Sequence, residues 1–184
     1  MNKKIYMVLA IVAIPLAIKT MQARAETQVK AVEKVDIDQY IGKWYEIARL
    51  PMYFQRKCAS DTTAEYAINT SKTLKVLNTC QTKQGKINTA HGLATVKNTG
   101  NSQLTVSFLP TGLRWLPFTQ GDYWILRVDS DYTVALVGGP SKKYLWILSR
   151  TPTIDDKLYQ SYLDTAKQQG FDISKLIRTS HYNP

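Results

Sequence analysis

Gly42-Lys43-Trp44-Tyr45-Glu46-Ile47-Ala48-Arg49 opens the first strongly patterned segment of the chain. Glycine lets the backbone turn sharply into a strand. Strand side chains alternate, so Trp44, Glu46, Ala48 and Leu50 share one face, and Tyr45, Ile47 and Arg49 the other. A tryptophan at the very start of a strand is large enough to plug one end of a closed sheet. The octapeptide alone reads equally well as a strand carrying an ordinary core tryptophan, and the segments downstream separate the two.

From here the chain is a succession of short alternating segments divided by turn signals, the pattern of an all-β barrel or sandwich. Eight strands are predicted: Lys43–Leu50, Thr62–Ile68, Thr73–Cys80, Lys86–Val96, Leu104–Leu109, Asp122–Val128, Thr133–Val137 and Tyr144–Ser149. Asn69-Thr70-Ser71-Lys72 and Lys97-Asn98-Thr99-Gly100-Asn101 are hairpin turns by composition. Mostly short links favour sequential antiparallel neighbours. Two links are longer, Pro51–Asp61 and Pro110–Gly121, and carry Met52, Tyr53, Phe54, Trp115 and Phe118. Apolar loop tips suit the mouth of a ligand site or a face that touches a membrane, and equally loops that fold back onto the barrel. Before the first strand, residues 36–41 read as one helical turn. After Arg150 the period changes. Leu158, Tyr159, Tyr162, Leu163 and Ala166 recur at helical spacing, Thr153 and Asp156 resemble a capping box, and Gly170 stops the run. This is one amphipathic helix packed outside the strands. Residues 171–177 form a short tail suited to an edge strand.

The first 25 residues read as a leader. Lys3 and Lys4 make a basic start, residues 6–18 form an apolar run, and Ala23-Arg24-Ala25 is a small-x-small cleavage site. The expected division is a cleaved signal peptide over 1–25 and one domain over 26–184, released soluble into a bacterial periplasm. Secretion or outer-membrane association are the weaker alternatives. No cysteine occurs before Cys58, so the leader offers none to carry a lipid. The whole chain has 24 basic and 14 acidic side chains, and without Lys3, Lys4, Lys19 and Arg24 the balance is 20 to 14, or +6. These charges are spread out. No arginine-rich arm or basic stripe suits nucleic acid, and a modest attraction to anionic lipid surfaces fits better. Cys58 and Cys80 are most simply one disulfide in an oxidising compartment, with two free thiols as the alternative.

Catalytic patterns are missing. His91 and His181 are the only histidines, which leaves metal chemistry without a ligand cluster. There is no Gly-x-Ser-x-Gly elbow, P-loop or dinucleotide fingerprint. No cofactor is expected.

With Trp44 inward, alternation assigns the remaining inner faces. They are Ala64, Tyr66 and Ile68; Leu74, Val76 and Asn78; Leu104, Val106 and Phe108; Tyr123 and Ile125; Ala135 and Val137; and Tyr144, Trp146 and Leu148. An eight-stranded barrel has room either to be filled or to hold one small ligand. Small residues leave space, while Tyr66, Tyr123, Tyr144 and Asn78 offer polar handles. The ligand-binding candidates are Leu50, Ala64, Tyr66, Val76, Asn78, Val106, Phe108, Tyr123, Ile125, Val137, Tyr144 and Trp146. A fully packed barrel remains the alternative.

Tyr144-Leu145-Trp146-Ile147-Leu148-Ser149-Arg150 ends the last strand in an arginine. With Gly42-x-Trp44 at the start and Asp131-Tyr132-Thr133-Val134-Ala135-Leu136-Val137 between, the chain resembles the lipocalin family over about residues 36–180, most nearly its bacterial, apolipoprotein D-like members. The resemblance implies an eight-stranded antiparallel up-and-down barrel, closed at one end, with the helix alongside. It implies that Gly42, Trp44 and Arg150 close the barrel structurally, with Arg150 packed over the indole, and that residues 51–61 form a large loop over the mouth. It further implies binding of fatty acids or lysophospholipids, with a role in lipid transport, storage or envelope maintenance. An amphipathic lipid is thus the expected partner, with transient membrane contact allowed. A lipocalin-fold enzyme, or an interaction module with a filled barrel, are the alternatives. Cys58 and Cys80 are not general to the family.

Overall fold

The structure is a computed structural model that describes residues 27–70, 72–113 and 120–182. The leader expected over 1–25 and the apolar side chains Trp115 and Phe118 lie outside the described residues.

Eight antiparallel strands close into a barrel. They are β1 (Gly42–Arg49), β2 (Cys58–Thr70), β3 (Thr73–Thr82), β4 (Ile87–Val96), β5 (Gln103–Ser107), β6 (Gly121–Val128), β7 (Val134–Gly138) and β8 (Leu145–Ser149). Each pairs with its sequence neighbour, and β1 pairs with both β8 and β2, so no gap is left. A short ninth strand, β9 (Ile177–Arg178), lies against β1 at Ala48 and Arg49, so the tail does add an edge strand. The ranges differ most from expectation at β2, which begins at Cys58 rather than Thr62. At its other end β2 outruns the barrel, and Ile68, expected inside, is half exposed.

One helical turn, α1 (Ile37–Tyr40), precedes β1, capped by Asp36 through Asp38 N at 3.0 Å. The long helix α2 (Asp156–Gln168) packs outside. Its cap is Asp155, which accepts from Lys157 N and Leu158 N, so the Thr153/Asp156 capping box does not form. Asp155 directly precedes the first turn, so its carboxylate reaches the free amides there. Two apolar layers result. Trp44, Tyr40, Leu104, Ile125, Val137 and Leu148 belong to the inner core. Ile47, Leu136, Leu145 and Ile147 form an outer one with Tyr162 and Ala166 of α2. Tyr162 seals this contact by donating to the Val134 carbonyl at 2.8 Å, and Arg127 lies 4.1 Å over its ring.

The parity read from Trp44 breaks inside β1. Tyr45 pairs with Ser149 and Glu46 with Leu148, but the next partners are Ala48 with Ile147 and Arg49 with Trp146, so Ile47 is a bulge. One extra residue turns the rest of the strand over. Ala48 and Leu50 therefore join the outer layer, and Leu50 is not a cavity residue. Arg49 comes round to the side of Glu46. The carbonyls on either side of the bulge meet the tail: Ile47 O accepts from Thr179 N at 3.0 Å, and Glu46 O lies 2.9 Å from His181 Nε2.

Cys58 and Cys80 are joined, with Cα atoms 5.5 Å apart, and bind the start of β2 to the end of β3. The chain has two cysteines, so none is left as a thiol.

Candidate functional site

The ends of the barrel are chemically different. At the start of β1, Gly42 has φ +94°, which a side chain would strain, and the Arg150 guanidinium lies against it. That guanidinium sits 3.8 Å over the fully buried Trp44 indole. It donates to the carbonyls of Gln39, Ile41 and Lys43 at 2.7, 2.9 and 2.8 Å, and to those of Tyr40 and Tyr132 at 3.2 Å. Trp44 Nε1 donates to Tyr40 O at 2.8 Å, and the Tyr40 ring lies 5.0 Å from the indole on centroids. Burial lowers the Arg150 pKa from its ordinary value, with the nearby Tyr40 opposing. One cation thus ties α1, the start of β1 and the β6–β7 turn into a lid.

The other end opens into a cavity of about 560 Å³, within the range of small-molecule sites. Ala64, Tyr66, Val76, Asn78, Val106, Phe108, Tyr123, Tyr144 and Trp146 all line it. Ile125 and Val137 do not. Both point inward but are fully buried in the packed layer that includes Trp44 and Leu148. Their depth along the strand, which alternation does not encode, keeps them out of the space. β4 carries no hydrophobic alternation, yet its Asn88 and Ala90 line the wall. Ala64, Asn78 and Ala90 form one cross-strand row, so the amide stands between two methyls, and its Oδ1 is buried without a partner. Next along β4 comes Gly92, where a Cβ would meet the Phe108 ring at 2.9 Å. Glycine is what lets Phe108 lie across that strand.

Three tyrosines form the floor. Tyr123 OH lies 2.8 Å from both Tyr66 OH and Tyr40 OH. Two hydrogen bonds use two of the three hydroxyl protons, which leaves one to donate. Burial pushes the Tyr66 phenol up to about 12, and holds Tyr40 and Tyr123 well above the ordinary tyrosine value, so all three are neutral. The three tyrosines read as polar handles therefore divide: Tyr66 and Tyr123 reach Tyr40 at the closed end, and Tyr144 packs on Phe54 of the first loop at 5.5 Å.

One wall is polar. Gln55, in the loop after β1, accepts from Trp146 Nε1 at 3.1 Å and donates to Glu46 Oε2 at 2.8 Å. Glu46 Oε1 accepts from Thr179 Oγ1 at 2.6 Å and lies 3.2 Å from Arg49 Nε, an ion pair without hydrogen-bond alignment. Burial raises the Glu46 pKa above the ordinary carboxylate value, although its hydrogen bonds and Arg49 oppose the rise. Sequence reasoning missed this set as a site. Glu46 does share the Trp44 face, which was a usable signal. Gln55 and Thr179 lie outside periodic segments and gave none.

Among the described residues, no helix is long and apolar enough to cross a membrane, and no group of His, Cys, Asp and Glu could hold a metal ion.

Comparison with known proteins agrees with this geometry. The family model described as a lipocalin-like domain matches residues 35–181. Temperature-induced lipocalin-1 of Arabidopsis thaliana is 41% identical over 155 residues, covering 83% of this chain and 82% of the relative. The outer membrane lipoprotein Blc of Vibrio cholerae is 37% identical over 152 residues, 81% of this chain and 84% of the relative. The plant protein is thus the more identical of these two. Among solved structures, insecticyanin from the tobacco hornworm Manduca sexta superposes with a TM-score of 0.62 at 21% identity, over 84% of this chain and 90% of its own. That last likeness concerns the fold.

Proposed function

The chain belongs to the lipocalin family, and on that premise we propose that it binds a single-chain amphipathic lipid, a fatty acid or a lysophospholipid, in the open barrel. The observation that carries the proposal is the cavity itself, about 560 Å³, open at one end and walled mainly by apolar surface. The acyl tail enters between Val76, Val106, Trp146 and Leu148, where each buried methylene contributes about 0.8 kcal/mol. The headgroup stays at the mouth, near the exposed cations of the connecting loops. The cavity argues against a filled barrel acting only as an interaction module. Both oxygens of Glu46, the buried acid in the wall, are bonded within the protein, which suits a structural part better than proton transfer. We therefore read the protein as a carrier or store of lipid and not as a catalyst.

We further propose export without a lipid anchor. The Vibrio cholerae relative is named an outer membrane lipoprotein. Here both cysteines are consumed by the disulfide, so no thiol remains for a lipid. A periplasmic protein beginning at Glu26 follows from the leader, and it serves lipid transport, storage or envelope maintenance. Native mass spectrometry of protein purified from its own host tests both parts. The expected result is a chain starting at Glu26, free of covalent lipid, with one lipid bound noncovalently. Protein that carries no lipid, and binds neither a long-chain fatty acid nor a lysophospholipid on titration, would sink the binding proposal. A membrane-bound chain that retains its leader would sink the export proposal.

A further inference from the structure

The surface around the cavity mouth is unlike the rest of the molecule. Of the eight large apolar side chains that stand exposed among the described residues, five are at the open end: Tyr53, Phe54, Ile87, Phe108 and Leu113. Tyr53 is 78% and Ile87 65% exposed. Tyr53 and Ile87 do not fold back onto the barrel, whereas Met52 is buried and Phe54 packs on Tyr144. Cations are interleaved with these side chains. Arg56 and Lys57 follow Tyr53 and Phe54 in the first loop, Lys83 and Lys86 flank the β3–β4 turn beside Ile87, and Lys143 precedes β8, all exposed. The segments 50–57, 83–86 and 139–144 contain no acid. At the rim, Asp122 at the start of β6 is an exposed acid. The closed end is mixed, with Asp36, Asp38, Asp129 and Asp131 around α1 and the β6–β7 turn lying among the exposed Lys34, Lys43, Lys72 and Lys97. Charge is thus polarised along the barrel axis, positive at the mouth.

We infer that the open end is a docking face for an anionic bilayer surface, one that sets the cavity mouth directly against the lipids. The purpose of docking rests on the lipid-binding reading above, whereas the docking itself rests on the surface chemistry. Aromatic and aliphatic tips suit the boundary between headgroups and acyl chains, and flanking cations suit anionic headgroups. A protein partner would also cover apolar side chains. Several cations on separate loops around the mouth fit a laterally fluid surface of diffuse negative charge better. In this orientation an acyl chain passes from bilayer to cavity without crossing water. Gln55 belongs to the same loop as Tyr53 and Arg56, and it hydrogen-bonds to Trp146 and Glu46 in the cavity wall. The loop that touches the membrane is therefore also the loop that borders the ligand.

Co-sedimentation with vesicles of phosphatidylcholine, with and without phosphatidylglycerol, tests the inference on the full protein. Wild type should bind the anionic vesicles, bind pure phosphatidylcholine far more weakly, and be released by salt. Each lysine near the surface is worth roughly fivefold in partitioning, so Lys83→Glu with Lys86→Glu should cost at least about 25-fold. Lys72→Glu with Lys97→Glu alters net charge equally at the closed end, about 25–30 Å away at strand rise and beyond the screening length, and should change little. Tyr53→Ser with Ile87→Ser, neither of which lines the cavity, should weaken binding while leaving its salt dependence. Equal losses from the open-end and closed-end reversals would overturn the inference, as would equal binding to neutral and anionic vesicles. Titration with a lysophospholipid in vesicle-free solution separates the two readings. Wild type that binds the lysophospholipid but not anionic vesicles overturns docking alone. Wild type that docks in the predicted charge-dependent way but takes up no lysophospholipid upholds docking and overturns the cavity reading.

Discussion

Replacing Arg150 by alanine should damage stability and spare lipid binding. The guanidinium reaches five carbonyls at 2.7 to 3.2 Å and covers the Trp44 indole at 3.8 Å. A hydrogen bond from a charged donor contributes about 1.5–3 kcal/mol net, but this site is only half-buried and water will recover much of the set. Two bonds' worth of loss, about 3 kcal/mol, plus about 1 kcal/mol for the cation over the indole, gives about 4 kcal/mol. For a domain of this size that lowers Tm by about 8–16 °C. Arg150→Lys restores a cation over the ring but not the fork that spans α1 and both turns, and should recover less than half of the loss. Melting curves by circular dichroism, paired with a lysophospholipid titration, provide the assay. Kd should stay within about twofold, as for well-separated sites. An Arg150→Ala protein that melts at the wild-type temperature, or that keeps its Tm and loses the lipid, would refute the division between a structural closed end and a binding open end.

Trp146→Ala should weaken lipid binding by about thirtyfold, near 2 kcal/mol of lost apolar contact, and out of proportion to its change in Tm. Trp146→Phe keeps most of that contact, loses the bond to Gln55, and should show the smaller defect; equal behaviour in a lipid titration would count against a cavity role. The floor tyrosines have pKa values above the ordinary 10, so folding holds their protons as pH rises past 10, and stability present below that pH is lost toward about 12. Difference absorbance should show Tyr40, Tyr66 and Tyr123 ionising only with unfolding, and Tyr123→Phe should flatten the alkaline slope of ΔG. Glu46 has a raised pKa, so the native state holds its proton longer, and stability should fall as pH rises from the ordinary carboxylate value through the raised one. Glu46→Gln should remove that slope in urea titrations across the acid range, and an unchanged slope would exclude Glu46 as its source.

Strand period, turn chemistry and the spaced Gly-x-Trp and Ser-Arg segments were legible before any coordinates, because each is a local property repeated along the chain. They suffice for eight antiparallel strands, an outer helix and nine of the residues that line the cavity, and the family resemblance they carry adds the tryptophan and arginine of the closed end. Alternation says which face a side chain takes and nothing about how deep it lies. Ile125 and Val137 accordingly looked like Tyr123 and Trp146, and only closure of the barrel put the first two in the packed layer and the second two at the space. The bulge at Ile47 is equally silent in sequence. There β1 keeps its pairing with β8 while the Glu46 and Ile47 carbonyls meet the tail, and the extra residue turns Leu50 outward and brings Arg49 to Glu46. The Trp146–Gln55–Glu46–Thr179 chain joins a strand, a loop, a second strand and the tail across as many as 133 positions. The hydroxyls of Tyr40, Tyr66 and Tyr123 meet over up to 83. Hydrogen bonds at such separations have no periodic trace in a sequence, since the chain brings those atoms within hydrogen-bond reach only once the barrel has closed.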